Sequence, residues 1–145
     1  MLKRLMGTNN DVSFTILRIV LGVVFFAHGA QKMLGWFGGF GFHGTMASFA
    51  HMGMPAPVAL LIICTEFFGG LGLIVGLLTR IASLGVCGLM IGAIFMVHLA
   101  NGFFMNWMGT QKGEGIEYHL LALAMAAALL LRGAGAFSLD RAFSK

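Results

Sequence analysis

The chain has 145 residues, of which 59% are hydrophobic and only 10% are charged. Soluble domains carry charge on about a quarter of their residues, so this composition predicts an integral membrane protein surrounded by the lipid bilayer. The net charge of +4 comes from scattered basic residues rather than from a cluster, which gives no reason to expect a nucleic-acid partner. The length suits a single transmembrane domain over residues 1–145.

Four apolar segments follow one another along the chain, at about residues 12–34, 58–77, 81–100 and 116–131. Each approaches the roughly 20 residues with which a helix crosses the hydrocarbon core. The predicted fold class is therefore all-α, an antiparallel bundle of four transmembrane helices. The first segment follows Lys3 and Arg4 but is long and contains Arg18, so we interpret it as a retained span and not as a cleaved signal peptide.

The loops between the segments differ in length and content. In the first loop, the stretch from Thr45 to Met54 has the spacing of a short interfacial or re-entrant helix. Pro55 and Pro57 follow it, and we expect them to end it. Only Leu78 to Arg80 joins the second and third segments, which predicts a tight antiparallel hairpin.

The distribution of basic residues predicts the orientation, because Lys and Arg are enriched in cytoplasmic flanks. With both termini inside, two basic residues, Lys32 and Lys112, lie on the outer side. Six lie on the cytoplasmic side: Lys3, Arg4, Arg80, Arg132, Arg141 and Lys145. The count favours cytoplasmic N and C termini, with the long first and third loops outside.

Cysteines and glycines give weaker signals. Cys64 and Cys87 lie in separate apolar segments without a C-x-x-C motif, so the sequence predicts no metal site and no local disulfide relay. The stretches GLIVG (72–76) and GLMIG (88–92) match the G-x-x-x-G pattern that lets helix backbones approach closely. We favour packing within the monomer, with a homo-oligomer seam as the alternative.

Ionisable side chains inside a span cost roughly 2.5 to 3.5 kcal/mol each and usually mark a site. The chain places seven of them there: Arg18, His28, Lys32, Glu66, His98, Glu117 and His119. A rise of about 1.5 Å per residue puts His28 and Glu66 at one level, roughly 10 to 13 Å below the outer helix ends. All but Arg18 thus predict a polar cavity in the outer leaflet. We expect Arg18, near the inner end, to brace the bundle.

Within this cavity we predict His28 and Glu66 as the catalytic residues. The predicted cofactor-binding set is His28, Lys32, Glu66, His98, Glu117 and His119. Structural alternatives stay open, since Lys32 can extend to the headgroups and the two shallower histidines can bond carbonyls at the interface. Glu66 is hardest to explain in this way, because a carboxyl near mid-membrane needs a partner or a proton.

Five stretches of the sequence, in order along the chain, resemble the DoxX family of small four-helix membrane proteins. They are RIVLGVVFFAHGAQKMLGWFGG (18–39), EFFGGLGLIVGLLTR (66–80), MIGAIFMVHLANGFF (90–104), GIEYHLLALA (115–124) and GAGAFSLD (133–140). The resemblance implies a bacterial inner membrane location and a redox role. It implies relatives that are subunits of thiosulfate:quinone oxidoreductase or membrane partners of superoxide dismutase and a sulfurtransferase in oxidative-stress defence. The family's recurring polar residues match Arg18, His28, Lys32, Glu66, Arg80, His98 and Glu117.

These observations favour a membrane subunit of an oxidoreductase that binds a quinone, with His28 and Lys32 donating to its carbonyls and Glu66 accepting a proton. The isoprenoid tail would lie along Phe25, Phe26, Phe67 or Phe68. The sequence shows no electron-carrying centre, so a soluble or membrane redox partner would supply one. A b-type haem is disfavoured because His28 and His98 differ in depth by about 6 to 8 Å.

Two functions of other classes stay open. The chain would serve as a scaffold that assembles soluble redox enzymes at the membrane, or as a small-molecule or proton-coupled transporter that uses Glu66 as a proton relay. A carrier built from four short helices would need to oligomerise. Whether the chain is itself an enzyme is therefore left open by the sequence.

Overall fold

The computed structural model describes residues 6–144, and all regular structure in that range is helical. Three helices in the described range are long and apolar enough to cross a membrane: α1 (Val12–Leu34), α3 (Ala56–Val75) and α4 (Thr79–Asn101). The shorter helices are α2 (Gly41–His51), α5 (Glu117–Arg132) and α6 (Leu139–Ser144). Lys3, Arg4 and Lys145, on which half of the inner basic count rests, lie outside the described residues.

Local signals at both ends determine the limits of α1. The Asp11 side chain accepts a hydrogen bond from the backbone N–H of Ser13 (2.8 Å) and so caps the first turn. At the other end, Gly35 adopts φ 76° and its N–H donates to the carbonyl of Ala30, as glycine does at many helix ends. The 23 residues between them rise about 35 Å, enough to cross the hydrocarbon core.

The first loop differs from its predicted form at both ends of the short helix. Helix α2 begins at Gly41 and ends at His51, whereas the sequence predicts Thr45 to Met54. Thr45 lies buried against α1 and its hydroxyl donates to the carbonyl of Lys32 (3.3 Å). The prolines do not end α2. Pro55 is the N-cap of α3 and Pro57 lies in its first turn. The N–H groups of a first turn have no partner within the helix, so proline is tolerated there.

The hairpin between α3 and α4 lies at Gly76 to Leu78, two residues before the predicted link. Helix α3 ends at Val75 because Gly76 adopts φ 72°. Leu78 also adopts a left-handed conformation, with φ 51°, which is strained for a residue with a side chain. The Asp140 carboxylate accepts hydrogen bonds from the N–H groups of Leu78 (2.7 Å) and Thr79 (2.9 Å). The C-terminal helix α6 thereby caps the start of α4.

Glycine allows α1 and α3 to touch through their backbones. A Cβ atom added at Gly22 would lie 2.8 Å from the backbone N of Ile74, and one at Gly29 would overlap the backbone of Phe67. The predicted GLIVG motif is not this contact, since Gly76 belongs to the hairpin turn. The buried core lies beside it, where α5 packs against α4 and α1. It comprises Leu21, Phe25, Leu73, Val86, Met90, Ala122, Ala126 and Leu129.

Arg18 braces the hairpin end of the fold, as the sequence predicts. Its side chain is 1% exposed and donates to four backbone carbonyls. Two of them, Leu73 and Ile74, belong to α3, and two, Ala134 and Phe137, belong to the tail between α5 and α6. One guanidinium thus ties the C-terminal tail to the first and second long helices.

Candidate functional site

A cavity of about 1040 Å³ lies between α1, α3, α4 and α5, toward the end of the fold at which α1 ends and α5 begins. We call this the loop end. Most of the lining is apolar, and the polar lining side chains are His28, Lys32, Thr65, Glu66, His98, Glu114, Tyr118 and His119. The structure therefore gathers five of the six side chains predicted for one cavity around a common space.

An ion pair stands at the polar end of the cavity. Lys32 Nζ lies 2.5 Å from Glu66 Oε2, and the two side chains are 24% and 8% exposed. Oε2 is buried and makes no aligned hydrogen bond within the described residues, so the ammonium ion is the group that balances its charge. Lys32 thus has a specific partner in the protein and does not merely extend toward the lipid headgroups.

A local irregularity in α3 carries Glu66. Residues Thr65–Gly69 form a π-helical turn within the otherwise α-helical span. Such turns are rare, occur frequently at functional sites and shift the side chains that follow relative to a regular helix. A second π-turn, Ile94–His98, lies in α4 and ends at His98. Two of the predicted site residues therefore lie in π-turns, on two of the helices that line the cavity.

His28 lies one turn before Lys32 on α1 and lines the same cavity. Residues four apart share a helix face, which explains why the two side chains point the same way. His28 is exposed despite its position in the middle of a long helix, because its side chain borders the cavity space. Its ring nitrogens are therefore available to a molecule in the cavity.

Two histidines from different helices stack beside this group. The rings of His98 and His119 have centroids 3.9 Å apart. His98 Nδ1 donates to the backbone carbonyl of Glu114 (2.8 Å), which leaves its Nε2 as an acceptor in the neutral ring. His119 is 6% exposed, and its Nδ1 has no hydrogen-bond partner among the described residues. This nitrogen is enclosed by protein atoms and does not face the cavity space, so the His119 ring lines the cavity through its other atoms.

Glu117 is the predicted site residue that the structure does not bring to the cavity. Its Oε1 accepts a hydrogen bond from the backbone N–H of Met105 (2.7 Å) and holds the loop before α5. Three polar residues that line the cavity were not predicted from the sequence: Thr65, Glu114 and Tyr118. Tyr118 could have been recognised from the sequence, because it is the one tyrosine of the chain and directly precedes the predicted site residue His119.

The aromatic residues predicted to hold a ligand tail divide into two groups. Phe25 lines the cavity. Phe26 and Phe67 instead pack on each other with ring centroids 5.3 Å apart, and Phe68 contacts Phe67 at 5.1 Å, away from the lining. Of the four alternatives, Phe25 is the one that borders the cavity, and the tail path itself stays a prediction.

The described residues include no group of three or more His, Cys, Asp and Glu side chains placed to hold a metal ion. Cys64 and Cys87 are both free thiols in partly buried positions. The polar groups that line the cavity are an ammonium, two carboxylates, three imidazoles, a hydroxyl and a phenol.

Comparison with known proteins identifies relatives over nearly the full chain. The family model DoxX matches residues 13–99. A Bacillus subtilis (strain 168) protein named "Putative oxidoreductase CatD" is 30% identical over 135 residues, covering 93% of this chain and 90% of the relative. The "Inner membrane protein YqjF" of Escherichia coli (strain K12) is also 30% identical over 135 residues, covering 93% of this chain and 95% of the relative. No solved structure matches with comparable significance.

Proposed function

The chain belongs to the DoxX family of membrane proteins, and from its cavity we propose that it binds a quinone-like ligand and works with a partner oxidoreductase. The observation that carries this proposal is the arrangement of His28, the Lys32 to Glu66 ion pair and the neighbouring rings of His98 and His119 around one largely apolar cavity. Ligand sites commonly combine such apolar walls with a few convergent polar groups.

These residues fit the requirements of a quinone headgroup. Its carbonyl oxygens need donors, which the Lys32 ammonium and an imidazole N–H of His28 supply. Glu66, held beside Lys32 at 2.5 Å, is the group placed to accept or return a proton. When bound, a quinone supplies reversible two-electron chemistry; the chain's own residues hold it, exclude water and move protons.

We propose that the electron donor lies in another protein. The relative from Bacillus subtilis carries the word oxidoreductase in its name, which supports a redox setting for this chain. We propose a soluble or membrane redox partner, with sulfur or oxidative-stress metabolism as its context. Whether a homo-oligomer forms is part of the same proposal.

The membrane arrangement that we propose is a single antiparallel bundle of four spans, with α5 as the fourth. Helix α5 has 16 residues, which is short for a span, and its start is extended by the ordered loop that Glu117 holds. Both termini would be cytoplasmic in a bacterial inner membrane, and α2 would lie at the outer interface. Exposed indole rings at the loop end, Trp36 and Trp107, support an interface at that level.

Binding of decylubiquinone to the purified protein in mild detergent tests the proposal. We expect Glu66→Gln and His28→Ala to weaken binding about tenfold or more, whereas Glu117→Gln, a carboxyl change outside the cavity, leaves it unchanged. A reduced-minus-oxidised absorption spectrum of the wild type, recorded from the ultraviolet through the visible, identifies any ligand that copurifies. Equal binding by all four proteins would remove the quinone site.

The same experiment separates the other functions. A wild-type protein that binds no quinone but still captures a redox enzyme would be a scaffold, and cavity substitutions would then leave capture intact. A transporter would instead show Glu66-dependent proton movement in proteoliposomes. The large cavity favours ligand binding over both.

A further inference from the structure

Two glycines of α4 have no packing role in the described fold. A Cβ atom added at Gly88 or at Gly92 would meet no heavy atom of the described chain within 4 Å. Both residues line the cavity, and they stand one turn apart on the same face. Glycine weakens a helix relative to alanine, so its presence here is not explained by helix formation. The GLMIG motif therefore does not serve the packing within the monomer that the sequence favours.

Three glycines at helix contacts differ from Gly88 and Gly92 in the space around them. At Gly22, Gly29 and Gly70 an added Cβ would collide with the backbone of the neighbouring helix. Gly85, one turn before Gly88, marks the end of such contact, because its Cβ would lie 2.9 Å from Thr65 Cγ2 of α3. Beyond Gly85, toward the loop end, α3 and α4 line the cavity with a space between them.

This space opens sideways from the bundle. Leu61 of α3 and Leu84 and Met96 of α4 line the cavity, yet they are 66%, 59% and 68% exposed. Exposed fractions this high on cavity-lining residues show that the cavity is open on the side of α3 and α4. These helices are long and apolar enough to span a membrane, so we infer that this side faces lipid. The cavity of about 1040 Å³ is also at the upper limit of ordinary small-ligand pockets, about 300 to 1,000 Å³, and exceeds what a single ring needs.

The other end of the cavity is polar. The Lys32 to Glu66 ion pair lies there, and the exposed His28 side chain borders the same space. The space thus has a polar end and an apolar end that opens sideways. This is the shape of an amphiphile with a polar head and a hydrocarbon chain.

We propose that the hydrocarbon chain of the ligand packs against Gly88 and Gly92. The chain would then pass between α3 and α4 from the cavity into the bilayer. The nature of the head rests on the proposed function, whereas the chain path rests on the open glycines and the lateral opening. Gly88 and Gly92 would then determine specificity for chain-bearing ligands over head groups alone. A side chain at either position would fill the path without touching the polar end.

The test compares decylubiquinone with its chainless analogue, ubiquinone-0, on Gly88→Leu and Gly92→Leu. We expect both variants to bind decylubiquinone about tenfold more weakly and ubiquinone-0 within about threefold of the wild type. Ala124→Leu is the matched control, since Ala124 is an exposed small residue of α5 outside the cavity lining, and it should bind both as the wild type does. Equal losses for both ligands, or no loss for either, would overturn the chain path.

A second probe separates this inference from the quinone proposal. A diazirine-bearing palmitic acid has a chain but no quinone ring, and on irradiation it should label the α4 peptide around residues 84–92 in the wild type and not in the two leucine variants. Such labelling in a protein that binds no quinone would sink the proposed function and keep the chain path. Equal labelling of all variants would overturn the path. The path would also be overturned if light scattering showed that Gly88→Leu dissociates a dimer, because Gly88 and Gly92 would then lie in a contact between two copies of the chain.

Discussion

Replacing Lys32 by methionine should destabilise the protein more than replacing its partner Glu66 by glutamine. Removing one member of a buried ion pair costs about 3 to 5 kcal/mol, since it leaves an uncompensated charge. The Glu66 side chain is 8% exposed and the Lys32 side chain 24%, so the carboxylate left by Lys32→Met has less access to water than the ammonium left by Glu66→Gln. We therefore expect losses of about 3 kcal/mol for Lys32→Met and about 1 kcal/mol for Glu66→Gln.

The free energy of unfolding, measured by titration with sodium dodecyl sulfate in mixed micelles, completes a double-mutant cycle. The double variant should lie near Glu66→Gln alone, with a coupling energy of about 3 kcal/mol, at the upper end of the roughly 0.5 to 3 kcal/mol by which residues in direct contact couple. Lys112→Met, at an exposed loop position, should have no effect. Additive losses within about 0.5 kcal/mol would refute the pair as a stabilising contact.

Four further variants test the framework, by the same titration where the protein folds. Asp140→Ala should cost about 2 to 3 kcal/mol, because the N–H groups of Leu78 and Thr79 lose their charged acceptor; Asp140→Asn, which keeps one acceptor oxygen, should recover part of it, and equal losses would contradict the cap. Gly29→Leu should abolish folding, since even a Cβ overlaps the backbone of α3, and normal expression of monodisperse protein would speak against that contact. Gly88→Leu should fold with a stability change within about 1 kcal/mol of the wild type, and failure to fold would show that its surroundings are not open.

The helical class and the position of the polar layer could be predicted from the sequence because both depend on local patterns. Long apolar runs form helices in lipid, where each backbone polar group must be satisfied within its own segment. His28 and Lys32 are four residues apart and so share a helix face. Together with the helical rise, this spacing places both residues near Glu66 without further information. The ion pair at 2.5 Å is a contact between groups that such arithmetic puts at neighbouring depths.

The remaining features depend on contacts between distant parts of the chain. Arg18 binds carbonyls 116 and 119 residues away in the tail, and no local pattern indicates that the tail folds back. The π-turns at Glu66 and His98 have no composition signal of their own. Glu117 was predicted as a site residue because its depth along the helix matches that of the other polar residues. Depth does not determine which way a side chain points, and the Glu117 carboxylate faces the loop at Met105.

The two ends of the fold depend on each other through the α3 to α4 hairpin. At the hairpin end, Asp140 caps α4 across the strained Leu78, and Arg18 ties α3 to the tail. These contacts hold the two helices together where they are joined, and the Thr65 to Gly85 contact is the last close approach before the cavity. Because the helices are secured there, they can part toward the loop end without the bundle losing its core. The tail contacts therefore secure the hairpin end, and we expect that weakening them, as in Asp140→Ala, also weakens the proposed ligand binding at the far end of the fold.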